Sequence, residues 1–177
     1  MSSQLQPSAM QDVAASLRFG VDFTTPALTT VTGKVPATEA GPERVEAAIG
    51  QGTVTASPFG MTEMVASLAN DGRMVLPMLV EGRPAKADQQ PPPLQPGTVD
   101  AVRSMMREAV TSGTASSLSG MADLGGKTGT AEVADGPAHG WFAGIRGDVA
   151  FTAFIEGADS SGPAVQMAGE FLRGMQQ

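Results

Sequence analysis

The run Gly125-Gly126-Lys127-Thr128-Gly129-Thr130-Ala131-Glu132 constrains this chain more than any other stretch, because it reads as a strand that is almost free of bulky side chains. Asp135, Gly136 and Pro137 follow as a turn. Lys34, Lys86 and Lys127 are the only lysines in the sequence. A lysine set between glycines and followed by hydroxyls can offer a fixed positive charge to an anionic group that approaches the backbone closely. A phosphate-cradling loop would need its first glycine at position 121, which is Met121, and a helix directly after Lys127-Thr128, where Gly129 stands instead. That reading is excluded on both counts.

Two readings of the run are left. One is a glycine-rich strand whose lysine merely guards a sheet edge. The other is the Lys-Thr-Gly element of penicillin-recognising serine enzymes. Neighbouring residues carry a wider resemblance. Gly50-Gln51-Gly52 is followed by Ser57-Pro58, which opens a helix that Ala69-Asn70-Asp71-Gly72 closes, and by Pro77 after a short apolar run. Gly113-Thr114-Ala115 precedes Gly126-Lys127-Thr128-Gly129-Thr130-Ala131-Glu132, and Gly140-Trp141-Phe142-Ala143-Gly144 comes after it. In this order the blocks resemble the transpeptidase domain of class B penicillin-binding proteins, over about residues 17 to 157.

The departures from that pattern are specific. The family's nucleophilic serine and its activating lysine share one helix face at S-x-x-K spacing. No serine here has a lysine three residues on; the nearest case is Ser104 with Arg107, and a guanidinium does not give up its proton. The S-x-N or S-x-D element is also absent, since the single asparagine, Asn70, has Leu68 two residues before it. Residues 10–20 resemble the family's helix just after S-x-N. The expectation is therefore that residues 1–177 form the C-terminal portion of a transpeptidase domain, as an expressed fragment or a naturally short product, with the upstream S-x-x-K and S-x-N segment missing. Export and anchoring signals would lie in that upstream part, on the extracytoplasmic face of a bacterial membrane.

Composition agrees with a globular domain of 177 residues and 41% hydrophobic content. A net charge of −7 and a pI near 4.6 argue against nucleic acid or an anionic membrane as partner. There is no cysteine and His139 is the sole histidine, so no metal site is expected, and no cofactor. No apolar run approaches the length of a membrane span.

The pattern predicts a helix over 8–17 with Met10, Val13 and Leu17 inward, then an extended loop over 21–42. A helix starts at Ser57 as N-cap with Pro58 first, burying Met61, Met64, Val65 and Leu68. Residues 74–80 are expected as a strand interrupted by Pro77, and residues 86–97 as a proline-rich linker or arm. Thr98 is expected to cap a helix burying Val99, Val102, Met105, Met106, Ala109 and Val110, which Gly113 ends. Strands are expected over 124–133, 139–146 and 148–157, the last two joined at Gly147-Asp148. Ser161-Gly162-Pro163 opens a closing helix with Val165, Ala168, Phe171, Leu172 and Met175 on one face. The fold class is α+β, a partial penicillin-binding/β-lactamase-like transpeptidase fold with helices, an antiparallel sheet and a C-terminal helix.

The resemblance implies that Lys127, Thr128, Gly129 and Thr130 bind substrate. Lys127 would attract the carboxylate of a peptidoglycan stem peptide or β-lactam, the Thr128 and Thr130 hydroxyls would donate to it, and Gly129 would leave room for it. No catalytic side chain is expected in this chain; the Thr130 backbone N–H is the one candidate oxyanion donor. His139 reads as structural, Trp141 as sheet packing, Glu132 as solvent-facing and Asp148 as a turn residue. The function implied is the recognition part of a serine D,D-transpeptidase that cross-links peptidoglycan, inactive alone and completed by the upstream half of its domain. The alternative is a non-catalytic peptide-binding or scaffold module using the Lys127 strand. An open sheet edge near 148–157 would invite self-association.

Overall fold

The computed structural model describes residues 6–175, which divide into two compact units at residues 94 and 95. The chain is a mixture of helices and antiparallel strands, as the pattern predicts.

In the first unit, α1 (Ala9–Ser16), α2 (Pro42–Ala48) and α3 (Pro58–Ala69) alternate with two-residue strands. β1 (Phe23–Thr24) pairs antiparallel with β4 (Lys86–Ala87), and β2 (Gly33–Lys34) with β3 (Thr55–Ala56). Ser57 caps α3 by accepting from the Gly60 N–H at 3.0 Å, with Pro58 in the first turn. Gly60 is obligatory there, because a Cβ would lie 2.0 Å from the Thr32 carbonyl oxygen. Val65 and Leu68 are buried, and Met61 and Met64 are half-buried.

Several expectations are corrected. α2 was not foreseen; its Pro42 start is a helix signal, but it buries Arg44 and Ala47 while Val45 faces solvent, so no apolar stripe marks it. The 21–42 loop contains β1 and β2. Residues 74–80 form no strand: Pro77 has no N–H for a ladder, its carbonyl instead accepts from the Ala85 N–H, and Leu76, Met78, Leu79 and Val80 are exposed. In α1, Val13 is exposed and no residue is buried. The arm over 86–97 begins as β4 and ends in the first turn of the next helix, with irregular backbone between.

Charged side chains do much of the joining in this unit. Arg18 is 1% exposed and holds φ at 68°, a left-handed conformation that residues other than glycine rarely adopt. Its guanidinium donates to the Gly72 carbonyl at 3.0 Å and to the Pro91 and Pro92 carbonyls at 3.3 and 3.5 Å. Burial pushes the Arg18 pKa down. Arg44 donates through Nε to the Thr38 carbonyl at 3.0 Å. Glu63, on α3, is buried with Oε2 lacking a hydrogen-bond partner, and burial raises its pKa to about 7.

The second unit holds α4 (Pro96–Thr111), a 3₁₀ turn (Ser116–Leu118), β5 (Leu124–Val133), β6 (Gly136–Arg146), β7 (Val149–Ile155) and α5 (Gly162–Gly174). The sheet order is β5-β6-β7, antiparallel throughout, with Gly147-Asp148 turning β6 into β7 as expected. β5 and β7 are edge strands among the described residues. The core joins Val110, Leu118, Leu124, Phe142, Phe151, Val165, Ala168 and Leu172. α4 starts earlier than expected, with Gln95 as N-cap and Pro96 in the first turn rather than at Thr98. Met105 faces solvent at 59% exposure, and so do Phe171 on α5 and Met175 at its C-cap; α4 and α5 bury narrower stripes than their apolar residues suggest.

Two predictions follow from the buried charges of the first unit. Arg18→Met removes the guanidinium from the Pro91 and Pro92 carbonyls and one of two donors from the Gly72 carbonyl, which also accepts from the Leu94 N–H, and is expected to cost about 2–3 kcal/mol in urea unfolding; a loss under ~0.5 kcal/mol would show the clamp to be dispensable. Glu63 has a folded pKa above its unfolded value of 4.5, so the folded state holds the extra proton between pH 4.5 and about 7. Stability should therefore fall as pH rises through that window, and Glu63→Gln should flatten that part of the pH profile.

Candidate functional site

Strand alternation sorts the side chains of β5 onto two faces. Leu124, Gly126 and Thr128 are buried, whereas Lys127 and Thr130 are exposed and Gly129 is half-buried. The ladder to β6 sets Lys127 opposite Ala143, Thr128 opposite Phe142, Gly129 opposite Trp141 and Thr130 opposite Gly140. A register shift between Ala131 and Val133 ends the regular pairing.

The two central glycines of the run have different causes. A Cβ on Gly126 would lie 2.3 Å from Phe142 Cζ and 3.1 Å from the Ala143 carbonyl, inside the core. A Cβ on Gly129 would meet only Trp141, at 3.4 Å, an ordinary contact. The fold thus requires glycine at 126 and not at 129. Gly129 leaves a side-chain-free position beside Lys127 on a strand that pairs on one side only among the described residues.

Lys127 Nζ donates to the Thr128 carbonyl oxygen, which draws the ammonium back over its own strand. The Thr128 side chain lies on the other face, 7% exposed, with Oγ1 2.6 Å from Thr114 Oγ1. Lys127 and Gly129 therefore share one face of β5; Thr130 is exposed farther along on the face of Thr128, whose own hydroxyl is held against the loop after α4. Thr114 was not among the residues read as a site; the Gly113-Thr114-Ala115 block was legible, but nothing in its spacing says which residue of β5 it meets.

α4 is fastened to the start of β5. Arg107 donates to the Leu124 carbonyl at 2.8 Å and to the Met121 carbonyl at 3.1 Å, and Gly125 lies close to Met106. His139 Nδ1 accepts from the Gly157 N–H at 3.2 Å, and its ring meets Phe154 edge-on at 5.5 Å. Trp141 packs on Phe154 with ring centroids 4.3 Å apart. These are sheet-packing roles. Glu132 and Asp148 are exposed. A concavity of about 350 Å³, lined by Asp123, Arg146, Val149 and Leu172 among others, sits at the opening of the sheet and contains none of residues 127–130. Among the described residues no group of three or more acidic, histidine or cysteine side chains could hold a metal, and no helix is long and apolar enough to cross a membrane.

Chemically, an edge strand carrying one ammonium, an exposed hydroxyl and a bare position between them suits an extended peptide with an anionic end. The family model described as the penicillin-binding protein transpeptidase domain matches residues 1–171. No curated protein matches the chain. Among solved structures, Pseudomonas aeruginosa PBP2 in complex with WCK 5153 is 24% identical with a TM-score of 0.66, covering 92% of this chain and 42% of its own. Penicillin-binding protein A of Mycobacterium tuberculosis, an imipenem acyl-enzyme complex, is 22% identical at a TM-score of 0.66 with the same coverages. Helicobacter pylori PBP2 is 21% identical at a TM-score of 0.71, covering 94% of this chain and 35% of its own. The chain thus spans less than half the length of each of these structures.

The contrast between the two glycines is directly testable. Gly126→Ala should cost about 1–3 kcal/mol by overpacking against Phe142. Gly129→Ala should leave the thermal midpoint within about 2 °C of the parent; equal losses for both variants would refute the distinction.

Proposed function

Because this chain belongs to the penicillin-binding protein transpeptidase family, we propose that it supplies the substrate- and β-lactam-recognition wall of a serine D,D-transpeptidase that cross-links peptidoglycan. The observation that carries this reading is Gly129: the fold leaves it unneeded as a glycine, yet it opens the β5 edge between Lys127 and Thr130. A stem peptide laid along that edge as an added strand meets no side chain at 129, and its carboxylate comes within reach of the Lys127 ammonium. A β-lactam carboxylate uses the same charge. The Mycobacterium tuberculosis neighbour, which is an imipenem acyl-enzyme, supports the β-lactam part of the proposal.

In the mechanism, Lys127 contributes long-range attraction and Thr130 a hydroxyl donor. The Thr130 backbone N–H serves as one oxyanion donor, a group worth about 3 kcal/mol of transition-state stabilisation. The nucleophile is another matter. These 177 residues hold no serine with a lysine at S-x-x-K spacing, so the attacking hydroxyl and its base come from residues outside them. As these residues stand, the chain binds but does not acylate. The setting proposed is the extracytoplasmic face of a bacterial membrane, where peptidoglycan is cross-linked.

Fluorescent penicillin tests this. The chain alone should take up no covalent label, and a label on it would overturn the reading. Mixing it with a polypeptide that carries the family's S-x-x-K and S-x-N segment should restore labelling of that partner, and Lys127→Ala should slow it on the order of 100-fold. Peptide binding that depends on Lys127 without any restored acylation would favour a non-catalytic module instead.

A further inference from the structure

We infer that Thr114 is a positioning residue for carboxylate recognition: it holds the Thr128 hydroxyl in one rotamer and, by donating to it, directs the Thr128 proton toward the bound anion. The inference rests on the proposed function of the Lys127 strand.

Thr114 is exposed, yet its backbone is fixed on both sides. Before it, the Ser112 and Gly113 N–H groups donate to the Glu108 carbonyl at 3.0 and 3.1 Å. A Cβ on Gly113 would lie 2.8 Å from Ala109 Cα, so the loop is pressed against the last turn of α4. After it, the Ala115 N–H donates to the Ala109 carbonyl at 3.0 Å, and Ala115 is wholly buried. The same helix is bound to the start of β5 through Arg107. Helix, loop and strand are therefore one frame, and the 2.6 Å contact between Thr114 Oγ1 and Thr128 Oγ1 closes it.

A pair of hydroxyls shares one hydrogen bond, and either oxygen can be the donor. If Thr128 donates to Thr114, its only proton is used inside the protein. If Thr114 donates, the Thr128 proton is free for a ligand. A carboxylate is acceptor-only, so an anion at the site selects the second arrangement. The result is a chain from Thr114 O–H to Thr128 Oγ1 and from Thr128 O–H to carboxylate oxygen, in which each bond polarises the next. Lys127 acts on the same anion from the other face of β5, as a charge rather than as a directed donor.

The test uses the intact chain, isotope-labelled, titrated with an N-acylated stem-peptide analogue bearing a free C-terminal carboxylate and, separately, with its C-terminal amide. The parent should prefer the acid at least tenfold. Thr114→Val should weaken acid binding about five- to tenfold and leave amide binding unchanged, while Thr114→Ser stays within twofold of the parent. Three-bond couplings at Thr128 should report one side-chain rotamer in the parent and in Thr114→Ser, and averaging in Thr114→Val. A Thr114→Val chain that keeps the acid preference, or a single Thr128 rotamer, overturns the inference. If Lys127→Ala loses the preference while Thr114→Val keeps it, only the positioning role falls. A parent chain with no acid preference overturns the site reading and the hydroxyl chain together.

Discussion

The placement of Phe142 governs the second unit. Its ring is fully buried and occupies the space that a side chain at Gly126 would take, while Phe151 does the same at Gly144. Two aromatic rings thus interlock with two bare positions across the β5-β6-β7 sheet, and any slip by one residue would drive them into backbone or out to solvent. That interlock fixes the register which sets Lys127 opposite Ala143 and Gly129 opposite Trp141. The orientation of Lys127 is a by-product of core packing: once Gly126 is seated over Phe142, Lys127 must face the other way.

The first unit is held together differently. Its four strands have two residues each, too short for a ladder to stabilise the unit. Arg18, which gathers the Gly72, Pro91 and Pro92 carbonyls, and Arg44, which takes the Thr38 carbonyl, do what longer strands do elsewhere. A guanidinium is suited to this because it presents five donors in a plane and is more weakly hydrated than an ammonium. Asp22 plays the complementary part, accepting from the Thr32 N–H at 2.7 Å and its hydroxyl at 3.1 Å, and Thr32 in turn supports the first turn of α3. Such ties span 6 to 74 residues in sequence and leave no periodic trace.

This difference explains what could be read from the sequence. Local signals were reliable where local chemistry decides: Ser57 with Pro58 opens α3, and Gly147-Asp148 turns the β6–β7 hairpin. α2 escaped because its inward residues are Arg44 and Ala47, a pattern that hydrophobic periodicity does not register. Residues 74–80 mislead in the opposite sense, apolar enough for a strand but with Pro77 in their middle and only an isolated bridge from Val80 to Arg83 in place of a ladder. Met105, Phe171 and Met175 looked like core because each fits a helical stripe, whereas α4 and α5 each bury only one side against the sheet. In the site, the Lys127 strand was visible as a motif. The Thr114–Thr128 pair was not, since a loop-to-strand contact depends on how α4 is docked.

Under the proposed function, recognition and reaction make different demands on the fold. Everything that faces the proposed carboxylate lies within residues 114–130 and is braced by α4 and β6, inside a unit with its own core. The hydrogen bonds described around Thr128 and its bracing helix come from residues 107–128. Nucleophilic attack, by contrast, requires a serine and base placed to within a fraction of an ångström of the oxyanion donors. Packing does not demand glycine at 129, which leaves the side-chain-free opening that the proposed function assigns to an added strand.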